Sequence, residues 1–184
     1  MTTPAVLRTD PEIRLRLFRP EDLPVIREIA ARAFDGVGID QGMEAVFGLV
    51  DGHDWQWRKA RHIDDDARRD PEGIFVAETA DGRIIGTITT WRDREAGIGH
   101  IPNIALDAEW RNLGLGRLMI EHVLDHFRDS GLTHARIETL AQNARGKHLY
   151  ESCGFREIAR QIHFAADLHE PARPTGAPDL IDEG

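Results

Sequence analysis

Two glycines flank a leucine in the stretch WRNLGLGRLMI, Trp110 to Ile120, with Arg111 and Arg117 on either side and an apolar run directly after. Small residues at a strand-to-helix turn free successive backbone amides to point at an anion, and the helix dipole favours negative charge there. Arg111 and Arg117 add counter-charge. Glycine also serves a plain tight turn, so the stretch alone does not name a ligand. It does exclude some. A P-loop requires lysine and a hydroxyl after its second glycine, and a dinucleotide fingerprint requires a third glycine where Met119 stands.

A second group of residues follows in IETLAQNARGKHLYESCGF. Asn143 and Tyr150 are seven residues apart, two helical turns, so one helix face carries both, and Glu138 sits on the strand before them. An acid, an amide and a phenol can thus be presented together. Taken singly, each has an ordinary role as well: Asn143 as a helix N-cap, Tyr150 as a half-buried aromatic, Glu138 as an exposed strand residue. Cys153 is the single cysteine and has no histidine at a spacing that implies a nucleophilic pair. His53 and His62 lack metal-ligand spacing, and Asp64 to Asp66 lack the alternation of a calcium loop, so no metal site is expected.

These residues need a frame. IRLRLF, with Ile13, Leu15 and Leu17 against arginines, reads as a strand; Leu23, Ile26, Ile29, Ala30 and Ala33 read as a helix. Residues 35 to 70 read as a loop, a short helix and a second helix. IFVAET and RIIGTITTW form a hairpin about Asp81 and Gly82. IGHIPNIAL is a further strand, Leu115 to Arg128 a helix with an apolar stripe, THARIETLA a strand, NARGKHLYESC a short helix, and REIARQIHFAADL one or two final strands. The expected class is α/β (α+β): a single mixed, mostly antiparallel sheet of about six to seven strands with helices on both faces, over residues 1–168, followed by a frayed Pro-rich tail, 169–184.

The chain has 184 residues, a length suited to one domain, with 41% hydrophobic and 30% charged residues as in folded globular proteins. The net charge of −9 argues against a nucleic-acid partner and mildly favours cationic ones such as amines. No run is apolar enough to cross a bilayer, the start lacks a signal-peptide core, and one cysteine suits a reducing compartment; a cytoplasmic protein without a membrane partner is expected.

NIALDAEWRNLGLGRLMIEHVL followed about 30 residues later by NARGKHLYESCGF resembles the GNAT superfamily of acyl-CoA-dependent N-acyltransferases, which share [RQ]-x-x-G-x-[GA] and then N-x-x-x-x-x-x-Y-x-x-x-G-F. The match covers Ile98 to Glu157. NIALD, IETLAQN and LYESCGF look most like the ribosomal-protein alanine acetyltransferases of that superfamily.

The resemblance implies that acetyl-CoA is the co-substrate and an amine the acceptor. Ile104, Ala105 and Leu106 would pair with the pantetheine arm along a strand splayed by a bulge. Asn112, Leu113, Gly114, Leu115, Gly116 and Arg117, with Arg111 at the motif's first position, would hold the pyrophosphate, and Asn143 would contact the coenzyme. Glu138 and Tyr150 would be the base and the acid.

The chemistry asks for such groups, because an amine of pKa near 10 must lose a proton before attacking a thioester. His100 is the alternative base, and a backbone NH near Leu106 would stabilise charge growing on the thioester oxygen. Ala108, Gly146 and Lys147 depart from the usual pattern, and Gly36 to Pro71 matches nothing in it. A non-catalytic acyl-CoA sensor on the same fold is the rival reading. The acceptor's identity and a homodimer are left open.

Overall fold

Six consecutive residues, Ile74–Thr79, are all buried, which a strand achieves only when both faces of its sheet are covered. Ile74 and Val76 join Ile26, Ile29, Ala30 and Ile63 on one side. Phe75 and Ala77 join Leu115, Met119, Ile120, Val123 and Phe127 on the other. The protein is therefore a layered helix, sheet, helix structure, as the alternation of side chains along a strand requires.

The computed structural model describes residues 5–7 and 12–169. The strands are β1 (Ala5–Leu7), β2 (Ile13–Leu17), β3 (Ile74–Thr79), β4 (Ile84–Asp93), β5 (Ile98–Leu106) and β6 (His134–Ile137). The helices are α1 (Leu23–Ala33), α2 (Ile39–Phe47), α3 (Trp55–Arg69), α4 (Leu115–Asp129) and α5 (Ala144–Ser152). Strand order in the sheet follows chain order; each pair is antiparallel except β5 with β6, which is parallel because α4 forms a crossover between them. α1 and α3 cover one face. α4 covers the other, with α5 at its edge.

The hairpin of β3 and β4 closes where Asp81 and Gly82 predict it, with Thr79 N donating to Arg83 O at 2.9 Å. The count of six to seven strands is not met in the body of the sheet, which has five strands of four to ten residues; β1 adds three residues at one edge. The strands expected between residues 156 and 168 do not form, since that segment meets no sheet edge, and the strand expected over THARIETLA is only His134–Ile137. Of the tail expected over 169–184, all but His169 lies outside the described residues. No helix among the described residues is long and apolar enough to cross a membrane.

One buried ionic knot ties β2 and β3 to the start of α1. Arg16 donates to Asp22 at 2.7 and 3.0 Å and to Glu78 at 3.0 and 2.9 Å, and Arg19 N also donates to Asp22 at 2.7 Å. Burial alone would raise the Asp22 carboxyl, but the Arg16 and Arg19 hydrogen bonds outweigh it and hold it below its ordinary value; Arg16 does the same for Glu78. Both carboxylates bind protons less readily when folded, so their stabilisation is complete above the ordinary carboxylate range and is lost as pH falls through it. Arg16→Met should therefore cost about 3–5 kcal/mol at pH 7 by removing the cation shared by two buried carboxylates, leaving Asp22 only the Arg19 N–H and Glu78 only Arg14. Urea denaturation should show the gap to wild type shrinking below about pH 4; a gap independent of pH would contradict this.

Candidate active site

The site begins with an irregularity in β5. Thr89 pairs with Asn103, but Trp91 pairs with His100, so Ile101 and Pro102 together stand opposite Thr90 alone. This is a β-bulge, and it switches which residues face which side. Before it, Gly99 and Ile101 face α4, where a Cβ at position 99 would run into the Phe127 ring. After it, Asn103 and Ala105 turn to the α1 and α3 side, while Ile104 and Leu106 pack toward α4.

The same bulge ends the pairing with β6. The parallel register runs from Ile98 with His134 to Ile101 with Ile137 and stops there. Beyond it the two strands part, and the outer edge of β5 faces a cleft of about 1210 Å³. Asp107 N turns inward to Ile85 O at 2.9 Å, so antiparallel alternation directs the peptide groups of Leu106 and Ile104 outward, away from β4. A backbone NH and carbonyl edge without a strand partner suits an extended, amide-containing ligand.

At the C-terminal end of β5 the chain turns into α4. Asn112 (φ 65°) and Gly114 (φ 81°) adopt the left-handed conformation, which Asn tolerates and Gly adopts freely. Gly114 is the N-cap of α4 and no side chain caps the helix, so its first amides remain available to an anion. Gly116 has a packing reason too, because a Cβ there would stand 3.1 Å from the Leu149 side chain of α5.

The arginines are arranged unequally. Arg111 donates through Nε to Leu106 O at 2.9 Å, and Arg117 donates to Ser152 O at 2.7 Å. Arg145, on the first turn of α5, donates to Asn112 Oδ1 at 2.7 Å. Burial and the nearby Arg145 both push the Arg111 guanidinium below its ordinary value. Two like charges gathered beside an uncapped helix start suit a polyanion. Arg145 was not singled out in the sequence; its signal is a third arginine one helix away from the motif.

Asn143 caps α5: its Oδ1 accepts from Gly146 N at 3.0 Å and its Nδ2 donates to Thr139 Oγ1 at 2.9 Å. It thus holds the helix that carries Tyr150. Tyr150 packs edge to face against Phe155 and is largely desolvated, which pushes its hydroxyl up to about 12 and keeps it protonated. Glu138, just beyond β6, is exposed and paired with Arg136 at 2.5 Å. Both line the cleft, as do Ile104 and Asn143. His100 is not part of the cleft wall; its ring stacks on Trp91 at 3.6 Å, and burial, Arg136 and Arg69 lower its pKa. Cys153 is half-buried with its thiol pushed up by desolvation, the behaviour of a packing residue. Among the described residues no cluster of three metal-ligating side chains occurs.

The opposite wall of the cleft comes from the segment the sequence left without a role. Lys59 of α3 is 6% exposed, donates to Asn103 Oδ1, and sits 3.4 Å from the centroid of the Phe34 ring. Asp66, two turns further along the same face of α3, accepts from Thr89 Oγ1 and from Asn103 Nδ2, each at 2.6 Å. Burial raises the Asp66 carboxyl and lowers Lys59 to about 8, against the opposing pull of Asp40 and Asp66. This chain of polar groups pins the stretch of β5 just past the bulge. Its signal was a lysine and an aspartate at the buried positions of the Trp55, Lys59, Ile63, Asp66 stripe.

The sheet that splays at a bulge beside an uncapped helix start is the arrangement that the resemblance of the two motifs led us to expect. The chain belongs to the Acetyltransferase (GNAT) family, whose profile matches residues 27–155. It is 40% identical over 72 residues to the [Ribosomal protein bS18]-alanine N-acetyltransferase of Salmonella typhimurium, covering 38% of this chain and 49% of that protein. It is 36% identical over 95 residues to the mycothiol acetyltransferase of Thermomonospora curvata, covering 52% of this chain and 31% of that protein. The chain thus spans about half or less of these curated relatives. Among solved structures, the PaiA N-acetyltransferase from Thermoplasma acidophilum in complex with coenzyme A superposes with a TM-score of 0.65 at 19% identity, covering 81% of this chain and 92% of that one. The ribosomal-protein-S18-alanine N-acetyltransferase from Escherichia coli superposes with a TM-score of 0.58 at 23% identity, covering 80% and 79%.

Lys59 supplies a check on the polar wall. Its folded pKa lies below the unfolded value of about 10.4, so the unfolded chain binds more protons between those values and stability rises with pH there. The stability of wild type relative to Lys59→Met should climb between about pH 8 and pH 10.4. Urea denaturation at pH 7.5 and 10 measures it, and an unchanged difference would place Lys59 in water.

Proposed function

We propose that this protein is an acetyl-CoA-dependent N-acetyltransferase that moves the acetyl group to a primary amine by direct attack in a ternary complex. The observation that carries the reading is that Ile104 of the unpaired β5 edge, Tyr150 and Glu138 line one cleft, with the uncapped α4 N-terminus packed against the helix that carries Tyr150. These features fit the parts of coenzyme A. Amides from Asn112 to Arg117, with Arg111 and Arg145, suit its phosphates; the Ile104 to Leu106 edge suits its amide-bearing arm.

Glu138 takes the proton of the incoming ammonium, through water given its exposed position beside Arg136. An outward NH of Ile104 or Leu106 donates to the thioester oxygen as charge develops there. Tyr150, kept protonated by burial, donates to the departing sulfur. Acetyl-CoA supplies the activated acetyl group.

The acceptor enters between the two walls. The α2 and α3 side brings Asp40 and Asp65 to the cleft with His62, carboxylates that suit an ammonium. Both named relatives are acetyltransferases, one of a ribosomal-protein alanine and one of mycothiol. They support small-molecule amines and protein or peptide amino groups as the acceptor classes.

Thermal shift should show stabilisation by acetyl-CoA and by CoA and none by ATP or NAD; silence with both coenzyme A species would remove the reading. In thiol release with a panel of amines and peptides, Tyr150→Phe should lower kcat about 10²-fold while leaving CoA affinity unchanged. Equal rates would take Tyr150 out of the mechanism, and no thiol release with any acceptor despite CoA binding would favour a sensor.

A further inference from the structure

Helix α2 turns polar side chains inward and apolar ones toward water. Ile39, Met43, Val46 and Phe47 recur at helical spacing and so share one face, yet no residue of α2 is buried and none belongs to either core cluster. The groups that fasten it are polar. Asp40 and Glu44 pair with Arg58 of α3 at 3.7 and 3.5 Å, Arg58 also donates to Asp40 O at 3.1 Å, and Glu44 accepts from Trp55 N. Val46 is 72% exposed, and Leu49, in the turn that follows, is 62% exposed. That turn leads back to α3, where the His53 ring stacks on the exposed Trp57 at 3.6 Å. Exposed apolar surface rimmed by polar groups marks a place of interaction.

The charge around the stripe has one sign. From Asp35 to Trp57 the sequence holds five carboxylates, Asp35, Asp40, Glu44, Asp51 and Asp54, and no lysine or arginine. Arg58 is taken up by Asp40 and Glu44, and the next cation, Arg61, lies over the Trp57 ring. Asp35, Asp51 and Asp54 are exposed. A second copy docked on the same face would set these carboxylates against their equals, and an anionic lipid surface would be repelled as well. A cationic partner is attracted.

The stripe starts at the cleft. Ile39 and Asp40 line it, and from there α2 runs on for about 13 Å. A small amine in the cleft leaves the rest of the stripe bare, whereas a polypeptide whose amine enters the cleft continues across it. Building on the acetyltransferase reading above, we propose that the outward face of α2 docks a basic polypeptide through its apolar side chains, so that the site selects protein amino groups over small amines.

A suitable probe is a peptide of about 15 residues, arginine and leucine at helical spacing, whose amino terminus is its one primary amine. Carrying a dye at its carboxyl end, it should bind the full chain in fluorescence anisotropy, and a glutamate–leucine peptide of equal length should not. Val46→Ser combined with Leu49→Ser removes two side chains that the fold leaves in water, so circular dichroism should be unchanged. The Kd of the arginine–leucine peptide and its KM in thiol release should each rise about tenfold. Its kcat, the rate with ethylamine and the thermal shift with acetyl-CoA should stay as in wild type. Should the pair disturb circular dichroism, Val46→Ser alone should weaken the peptide in the same direction. Raising salt from about 0.05 to about 0.5 M, which cuts the screening length to about a third, should weaken it too. No binding of the arginine–leucine peptide, equal binding of the glutamate–leucine peptide, or a Kd unchanged by the substitutions would overturn the docking surface. So would a wild-type dimer that the double variant splits, or tighter binding to anionic vesicles than to the peptide. Peptide binding with no thiol release from acetyl-CoA with any acceptor would instead remove the acetyltransferase reading and uphold the surface.

Discussion

The bulge at Ile101 and Pro102 is the constraint on which the rest of the site depends. One extra residue opposite Thr90 reverses the facing of β5 and ends its pairing with β6 in the same step. Without it, Asn103 would point at α4, Lys59 and Asp66 would have no partner on the sheet, and β6 would continue to shield the peptide groups of Ile104 and Leu106. The unmade hydrogen bonds that this leaves are costly in a dry interior and useful in a cleft, where a ligand backbone can make them. The surrounding structure fixes the irregularity: the buried Lys59, Asn103, Asp66 and Thr89 group holds one face, and Phe127 packed against Gly99 holds the other.

Rigid packing on both faces lets the loops stay open for binding. β3 is buried on both sides and the Arg16 knot fastens β2 and β3 to α1, so the strand ends at the cleft are carried by the most constrained part of the fold. The α4 N-terminus projects from that base with its amides uncapped, and α5 is brought beside it by Arg117 on Ser152 O and by the close approach at Gly116. Asn143 contributes by capping the helix that positions Tyr150 as well as by lining the cleft.

Much of this was legible because local signals and global fold agree. Asp81 and Gly82 marked the hairpin, the Leu115, Met119, Ile120, Val123 stripe marked α4, and the linked glycine and Asn-Tyr motifs marked the family. The rest was hidden for physical reasons. A charged residue reads as surface, so Lys59 and Asp66 in WRKARHIDDDARRD show their burial only through sharing the helix face of Trp55 and Ile63. THARIETLA carries strand composition throughout, yet pairing stops at Ile137 because the partner strand bulges. The period-two pattern from Ile158 to Leu168 reads as a strand, but a strand exists only where an edge receives it, and this segment meets none among the described residues. Arg145 reaches Asn112, beside the α4 start, through the fold alone.

The central claim is that the freed β5 edge and the uncapped α4 start together hold the acyl donor. Amide hydrogen exchange with and without coenzyme A tests it most directly. The account predicts added protection at Ile104 and Leu106 and from Asn112 to Arg117, with little change in β2 and β3. Binding that protects other segments and leaves those amides unchanged would contradict it.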